Sequence, residues 1–167
     1  MPVDFMVRRA TPADVLEMAR VHVDTWRETY RGVMSDEVLD DPQLLRSREE
    51  FWTAALTDPR YERNVAAVAI SDENLIGIAM SGLQLHSDAS QQLYLLYTYA
   101  AFYGSGVGTA LLDAVIDRST PASLWVADPN SRAQAFYLKH GFVADGAVKS
   151  DGDVREIRMV RTPLASP

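Results

Sequence analysis

The 167-residue chain contains no cysteine. Disulfides, thiolate metal sites and a cysteine nucleophile are excluded together, and the composition fits a reducing, cytoplasmic compartment. Histidine is scarce, with three in the chain. No two of them are spaced as metal ligands usually are, so no metal site is expected. No apolar run approaches the roughly 18–20 residues that span a bilayer. Met1 to Arg9 shows no apolar stretch between a basic start and a cleavage site, so neither a membrane partner nor a signal peptide is expected. Runs of basic residues are missing as well. Lys plus Arg total 16 against 23 Asp plus Glu, a net charge of −7. Such a surface repels a phosphate backbone, which argues against nucleic acid as a partner. A cationic or neutral small molecule is electrostatically easier. There is no internal repeat and no low-complexity tract.

What is present suits one folded domain. The length fits a single core, and 47% hydrophobic residues favour a folded globule over a disordered chain. The domain is expected over residues 1–162, with 163–167 as a short tail. Asp4 to Arg9 reads as an opening strand. Thr11 can cap a following helix, with Pro12 at its first position. Val15, Ala19, His22, Val23, Trp26 and Tyr30 form one face of that helix, and Gly32 ends it. A second helical region runs from Ser35 to Leu56, broken near Asp41-Pro42. Val65 to Ile70 and Leu75 to Leu83 read as a hairpin across Ser71 to Asn74. His86 to Ser90 is a polar loop. Leu93 to Tyr99 is an apolar and aromatic strand whose composition predicts burial on both faces.

A glycine turn follows, Gly104-Ser105-Gly106-Val107-Gly108. It leads into a helix with Val107, Ala110, Leu111, Ala114 and Val115 as its apolar stripe. Ser123 to Ala127 is a strand, and Asn130 to His140 a helix stopped by Gly141. Phe142 to Val148 and Val154 to Val160 close the chain as a hairpin. Most neighbouring strands can pair antiparallel. The strands at Leu93 and Ser123, joined through a helix, are parallel if adjacent. The expected class is α/β (α+β): a mixed, largely antiparallel sheet of six to seven strands with helices on both faces.

Strand, glycine turn and helix together make an anion site. Glycines bring backbone N–H groups close to a ligand, and the helix N-terminus adds unpaired donors and a positive dipole end. Taken alone, such a turn is as readily a plain tight connection. A triphosphate loop would need Lys-Ser or Lys-Thr after the last glycine, where Thr109-Ala110 stands. A dinucleotide fold would place the glycines after the first strand, with an acidic residue about 20 residues on. Asp128 has that spacing, but the turn comes late, after the hairpin strands.

Two ordered segments carry a resemblance. Leu93-Tyr94-Leu95-Leu96-Tyr97-Thr98 followed by Tyr103-Gly104-Ser105-Gly106-Val107-Gly108-Thr109 resembles the acetyl-CoA-binding motif of the GCN5-related N-acetyltransferases (GNAT). Trp125-Val126, then Asn130, Ala133, Phe136-Tyr137 and Gly141-Phe142, resembles that family's second signature, and Glu156 to Met159 looks like its last strand. One position departs: Tyr103 stands where the family commonly has Gln or Arg, so the motif cation is missing.

The resemblance implies an N-acetyltransferase that moves an acetyl group from acetyl-CoA to a primary amine of a small-molecule or peptide acceptor, without a metal, by direct transfer in a ternary complex. The backbone of Tyr97 and Thr98 would bond the pantetheine arm as an added strand. The N–H groups of Tyr103, Gly104, Ser105, Gly106, Val107, Gly108 and Thr109 would hold the pyrophosphate, and Asn130 would bond the pantetheine. Tyr137 would be the general acid toward the leaving thiolate. Trp26 and Tyr30 would line the acceptor pocket, with His86 and Asp88 as further substrate candidates and Glu28 as a candidate base. A homodimer is common in such families.

Each residue also has a plainer reading. Tyr137 can pack with Ala133 and Phe136, and Asn130 can simply cap its helix. Trp26 and Tyr30 follow a core stripe, His22 suits a satisfied core histidine, and Glu28 a solvated carboxylate. The cluster Asp36, Glu37, Asp40 and Asp41 suits an exposed helix face, although it could attract a cationic acceptor. The competing class is a non-catalytic acyl-CoA-binding sensor module. A dinucleotide enzyme is the third reading.

Overall fold

The computed structural model describes residues 2–84 and 90–163. Alternating side chains build the first half of the sheet. Strand β1 (Met6–Arg9) pairs antiparallel with β2 (Val65–Ser71), which turns back into β3 (Asn74–Leu83). The two residues of that turn, Asp72 and Glu73, both have positive φ, 49° and 65°, the backbone twist a two-residue hairpin requires. Then come β4 (Gln91–Thr98), β5 (Ala122–Ala127) and the closing hairpin of β6 (Val143–Asp151) and β7 (Val154–Arg161). The sheet has seven strands in the order β1-β2-β3-β4-β5-β7-β6. All pairings are antiparallel except β4 with β5, which is parallel.

The period of two in β2 and β3 separates two cores. Val68, Ile78 and Met80 face helices α1 (Val15–Tyr30) and α3 (Leu44–Thr57). Ala67, Ala69 and Ala79 face helix α4 (Val107–Val115), and the same core reaches Tyr137 of α5 (Ser131–Lys139). The alanines let α4 lie close. At Gly77 of β3, a Cβ would sit 2.8 Å from Leu111 Cδ1. A short helix, α2 (Asp36–Leu39), bridges α1 and α3. Among the described residues no helix is long and apolar enough to cross a membrane.

Three expectations change in detail. The α4 stripe is Val107, Leu111, Leu112 and Val115, all buried, whereas Ala114 is exposed. Position 112 sits on the core side, in the same buried cluster as Phe142 and Met159. The start of α1 is a 3-10 turn, Pro12–Asp14. The Asp14 carboxylate fastens it by accepting from the Thr11 N–H and from both Arg8 guanidinium nitrogens, each at 2.8 Å. Strand β4 is not buried on both faces, since Tyr94 is 43% exposed. The reason lies in how β4 meets β5.

Candidate active site

β4 and β5 pair over three positions only, Gln91 with Ala122, Gln92 with Ser123 and Leu93 with Leu124. A bulge then intervenes. Met80 faces Leu95 and Ser81 faces Leu93, leaving Tyr94 as an extra residue in β4. Bulges bend and twist their strand, and beyond this one β4 leaves β5. β5 continues with β7 as far as Ala127 opposite Glu156. The wedge between the diverging strands is a cleft of about 420 Å³. Tyr94 to Thr98 line one side and Trp125 to Ala127 the other. From Tyr94 onward, the edge of β4 that faces β5 has no strand partner.

The glycine turn closes one end of the cleft. Gly104 and Gly106 have φ of +78° and +93°, values that side-chain-bearing residues rarely adopt. The N–H groups of this turn do not all face the cleft. Tyr103 N–H donates to Ala100 O at 3.1 Å, Ser105 N–H to Phe102 O at 3.2 Å and Val107 N–H to Ser105 Oγ at 3.4 Å. Val107 is wholly buried in the core, and neither it nor Ser105 lines the cleft. Among the described residues, the N–H groups of Gly104, Gly106, Gly108 and Thr109 have no backbone acceptor, and all four residues line the cleft. Of the seven N–H groups expected from the motif, these four are unpartnered and belong to residues that line the cleft. The other three N–H groups hold the turn in shape.

The missing motif cation has a substitute. Arg132, from the first turn of α5, stacks on the Tyr103 ring with its guanidinium carbon 3.7 Å from the ring centroid. Arg132 and Lys139 line the cleft along with His140, whose Nε2 lies 3.0 Å from Thr109 Oγ1. Asn130 caps α5, its Oδ1 accepting from Ala133 N–H at 3.1 Å. It also lines the cleft, so its amide NH2 is left to donate there. Gly108 lies against Phe136, where a Cβ would be 3.2 Å from the ring.

Tyr30, Tyr137 and Glu156 also line the cleft, close enough to act on one another electrostatically. Burial pushes the Tyr137 hydroxyl pKa up, and the neighbouring Tyr30 adds to the shift. Burial, then Glu156, raises that of Tyr30. Burial also raises the Glu156 carboxyl, opposed by Lys149 at 3.9 Å and reinforced by Asp151. Both phenols thus stay protonated at neutral pH, beside a carboxylate more basic than usual.

The remaining candidates lie elsewhere. Glu28 is exposed and does not line the cleft; its carboxylate accepts from Ala100 N–H at 3.1 Å, holding the turn that precedes Tyr103. Trp26 lines a second cavity on the α1–α3 side instead. His86 and Asp88 lie outside the described residues. In the acidic cluster, Arg31 bonds Asp36 at 3.0 Å and Asp40 at 2.9 Å, so the cluster is partly neutralised and away from the cleft. Among the described residues, no group of three or more His, Asp or Glu is placed to hold a metal ion.

Glu156, Arg132 and Lys139 carry the charge in the cleft, and none of them was a sequence candidate. Glu156 is the one carboxylate in a strand that carries three arginines, VREIRMVR, and nothing in that pattern marks it as facing a cleft. Arg132 stands 29 residues from Tyr103 (132 − 103), and nothing in one dimension joins them.

Comparisons with known proteins agree with this geometry. The sequence model of the acetyltransferase (GNAT) family matches residues 18–142. A probable N-acetyltransferase of Mycobacterium tuberculosis, Rv2775, is 26% identical over 149 residues, covering 87% of this chain and 83% of that protein. The crystal structure of the PaiA N-acetyltransferase from Thermoplasma acidophilum, in complex with coenzyme A, superposes with a TM-score of 0.72 at 19% identity, over 93% of this chain and 98% of that one. A related acetyltransferase from Corynebacterium glutamicum gives 0.71 at 23% identity, over 97% and 98%. The splayed parallel pair, the glycine turn and the matched sequence span lead to one statement: the chain belongs to the GNAT acetyltransferase family.

Proposed function

We propose that the protein transfers the acetyl group of acetyl-CoA to a primary amine, directly and in a ternary complex. The observation that carries this reading is the wedge between β4 and β5. Unpartnered N–H groups of Gly104, Gly106, Gly108 and Thr109 face into it, along with Glu156 and Tyr137. The donor set suits a pyrophosphate. Four backbone N–H groups, a helix N-terminus and the Arg132 guanidinium supply hydrogen bonds and positive potential together. The unpaired edge of β4 at Tyr97 and Thr98 suits an extended amide-bearing arm, added as a strand would be. The Asn130 amide can donate to the same arm.

Acetyl-CoA supplies a thioester, an activated acetyl carbonyl with a good leaving group. The chain's own residues manage the protons. A primary amine with a pKa near 10.4 is neutral in only about one molecule in 2,500 at pH 7. Glu156, with its pKa raised by burial, is the group we assign to take the amine proton. Tyr137 stays protonated and donates to the sulfur as negative charge develops there. Because burial makes Tyr137 a weaker acid than free tyrosine, its hydrogen bond in the transition state contributes more than complete proton transfer. Tyr30, beside both, orients the amine. Holding two substrates side by side supplies much of the acceleration. A cytoplasmic location accompanies this reading.

The deciding experiment incubates the protein with acetyl-CoA and a panel of amines and follows free thiol. Thiol release that depends on amine supports the transferase. Thermal stabilisation by CoA, with no thiol released across the panel, would make the protein an acyl-CoA sensor. Stabilisation by NAD and not by CoA would overturn the coenzyme assignment itself.

A further inference from the structure

We propose that the acceptor is a small amino acid with an apolar side chain, its carboxylate held by Arg48 in the cavity between α1, α3 and β4. The proposal rests on the transferase reading and deepens it. The cavity is about 710 Å³ and lies across β4 from the Arg132 side, sharing Tyr94, Leu95 and Tyr97 with the wedge. The divergent part of β4 is thus a common wall. The Tyr97 ring lies 5.1 Å from His22 on the cavity side, while its hydroxyl is influenced by Tyr30, Tyr137 and Glu156.

The lining is apolar and aromatic, with Trp26, Phe51, Met80 and Leu95 among its residues. Its charges run against those of the chain. Three arginines, 48, 60 and 63, face one carboxylate, Glu62, in a protein of net charge −7. Arg60 is paired with Asp58 at 2.7 Å, and Glu62 and Arg63 are both exposed, next to each other at the rim. Arg48 is half-buried and has no carboxylate partner among the described residues. Its guanidinium stacks on Trp26 at 5.5 Å and on Phe51 at 5.3 Å.

The two rings restrain the guanidinium, its Nε donates to Ser47 Oγ at 3.3 Å, and the terminal N–H groups are left for a bidentate carboxylate. His22 beside it brings no charge of either sign. Its Nδ1 accepts from the Trp52 indole at 3.2 Å, and burial together with Arg48 holds its pKa at about 3. A polyamine would meet Arg48 as a like charge. A molecule with an apolar body, one carboxylate and one amine matches all three features: the aromatic wall, the unpaired cation, and Glu156 across the shared wall.

The test separates this inference from the reading beneath it. N-acetyl derivatives of phenylalanine, leucine and methionine, and their carboxamides, are titrated calorimetrically into the protein–CoA complex. At least one acid should bind tenfold or more tightly than its amide. The ratio should fall to within twofold in Arg48→Gln and be partly kept in Arg48→Lys. Equal binding of acid and amide in all three pairs, or binding of none, overturns the carboxylate assignment. In parallel, thiol release is followed with the free amino acids, their amides and spermidine. Release with amides or spermidine alone also overturns it and leaves the transferase reading standing. Binding of the N-acetyl acids without any thiol release keeps the carboxylate site and overturns the transferase.

Discussion

The Arg132 guanidinium lies flat on the Tyr103 ring, 3.7 Å from its centroid. This contact links the first turn of α5 to the glycine turn and returns a cation to a motif that lacks one. Arg132→Gln should weaken CoA binding about tenfold, in line with the loss of one charge-assisted contact of 1.5–3 kcal/mol less solvent screening. Tyr103→Phe keeps the stack and should bind as the parent does. Calorimetry with CoA checks both, and a pantetheine control, which lacks the pyrophosphate, should show no difference for Arg132→Gln.

Gly106 has φ +93° and open space where a Cβ would stand. The obstacle to substitution is therefore backbone conformation, not crowding. Gly106→Val should abolish CoA binding, because a β-branched residue at positive φ drives the turn into another shape. Normal affinity by calorimetry would refute the cradle. Gly108→Ala has a different origin of trouble, since its Cβ would press Phe136 at 3.2 Å.

Tyr137 is 7% exposed and packs with Phe136 and Phe142. Tyr137→Phe preserves that packing and removes only the hydroxyl. Turnover should fall at least tenfold while CoA affinity is unchanged. An unchanged turnover would reduce Tyr137 to a core residue.

Partial burial raises the pKa of the Glu156 carboxyl. A base must be deprotonated to act, so kcat/KM should rise with pH through that raised pKa. Glu156→Gln should lower kcat/KM by 10- to 1,000-fold and erase that limb of the profile. A profile unchanged in Glu156→Gln would return the base to another residue.

His22 is buried and held neutral, with a pKa lowered to about 3 from 6.5. Below about pH 6.5 the unfolded chain binds a proton that the folded chain refuses. Its contribution is therefore complete above that value and lost progressively as pH falls toward about 3. The slope should approach 1.4 kcal/mol per pH unit. Urea unfolding of His22→Phe should show a shallower fall over this window. It should also be less stable at pH 7, by about 1–3 kcal/mol, because the Trp52 N–H loses its acceptor. Asp14 acts in a lower window: Arg8 holds its pKa below 3.8, so its contribution persists until the pH drops below that.

The strand positions, the hairpins and the glycine turn were legible because each leaves a local mark, whereas the order that sets β7 between β5 and β6 was not. The compact apolar run Val65 to Ile70 gives β2, and Gly141 at φ +89° ends α5 where its position suggested. Asn130 was readable as a cap for the same reason. What was not legible depends on distance. The exposed Tyr94 follows from a bulge, and a bulge is a property of two strands. Glu28 looked like a free base, but it is occupied by a backbone N–H from residue 100, which no pattern around position 28 reveals. The cradle looked seven residues long because sequence does not tell an N–H that closes a turn from one that faces a ligand.

The three-position ladder between β4 and β5 leaves the sheet as two rafts with a short seam. One raft holds β1 to β4 under α1 and α3; the other holds β5, β7 and β6. On the proposed reading, an occupant of the wedge would touch both and replace hydrogen bonds that the seam omits. Its binding energy would then become cohesion between the rafts, growing as RT ln(1 + [L]/Kd), and the coenzyme would be a removable rung.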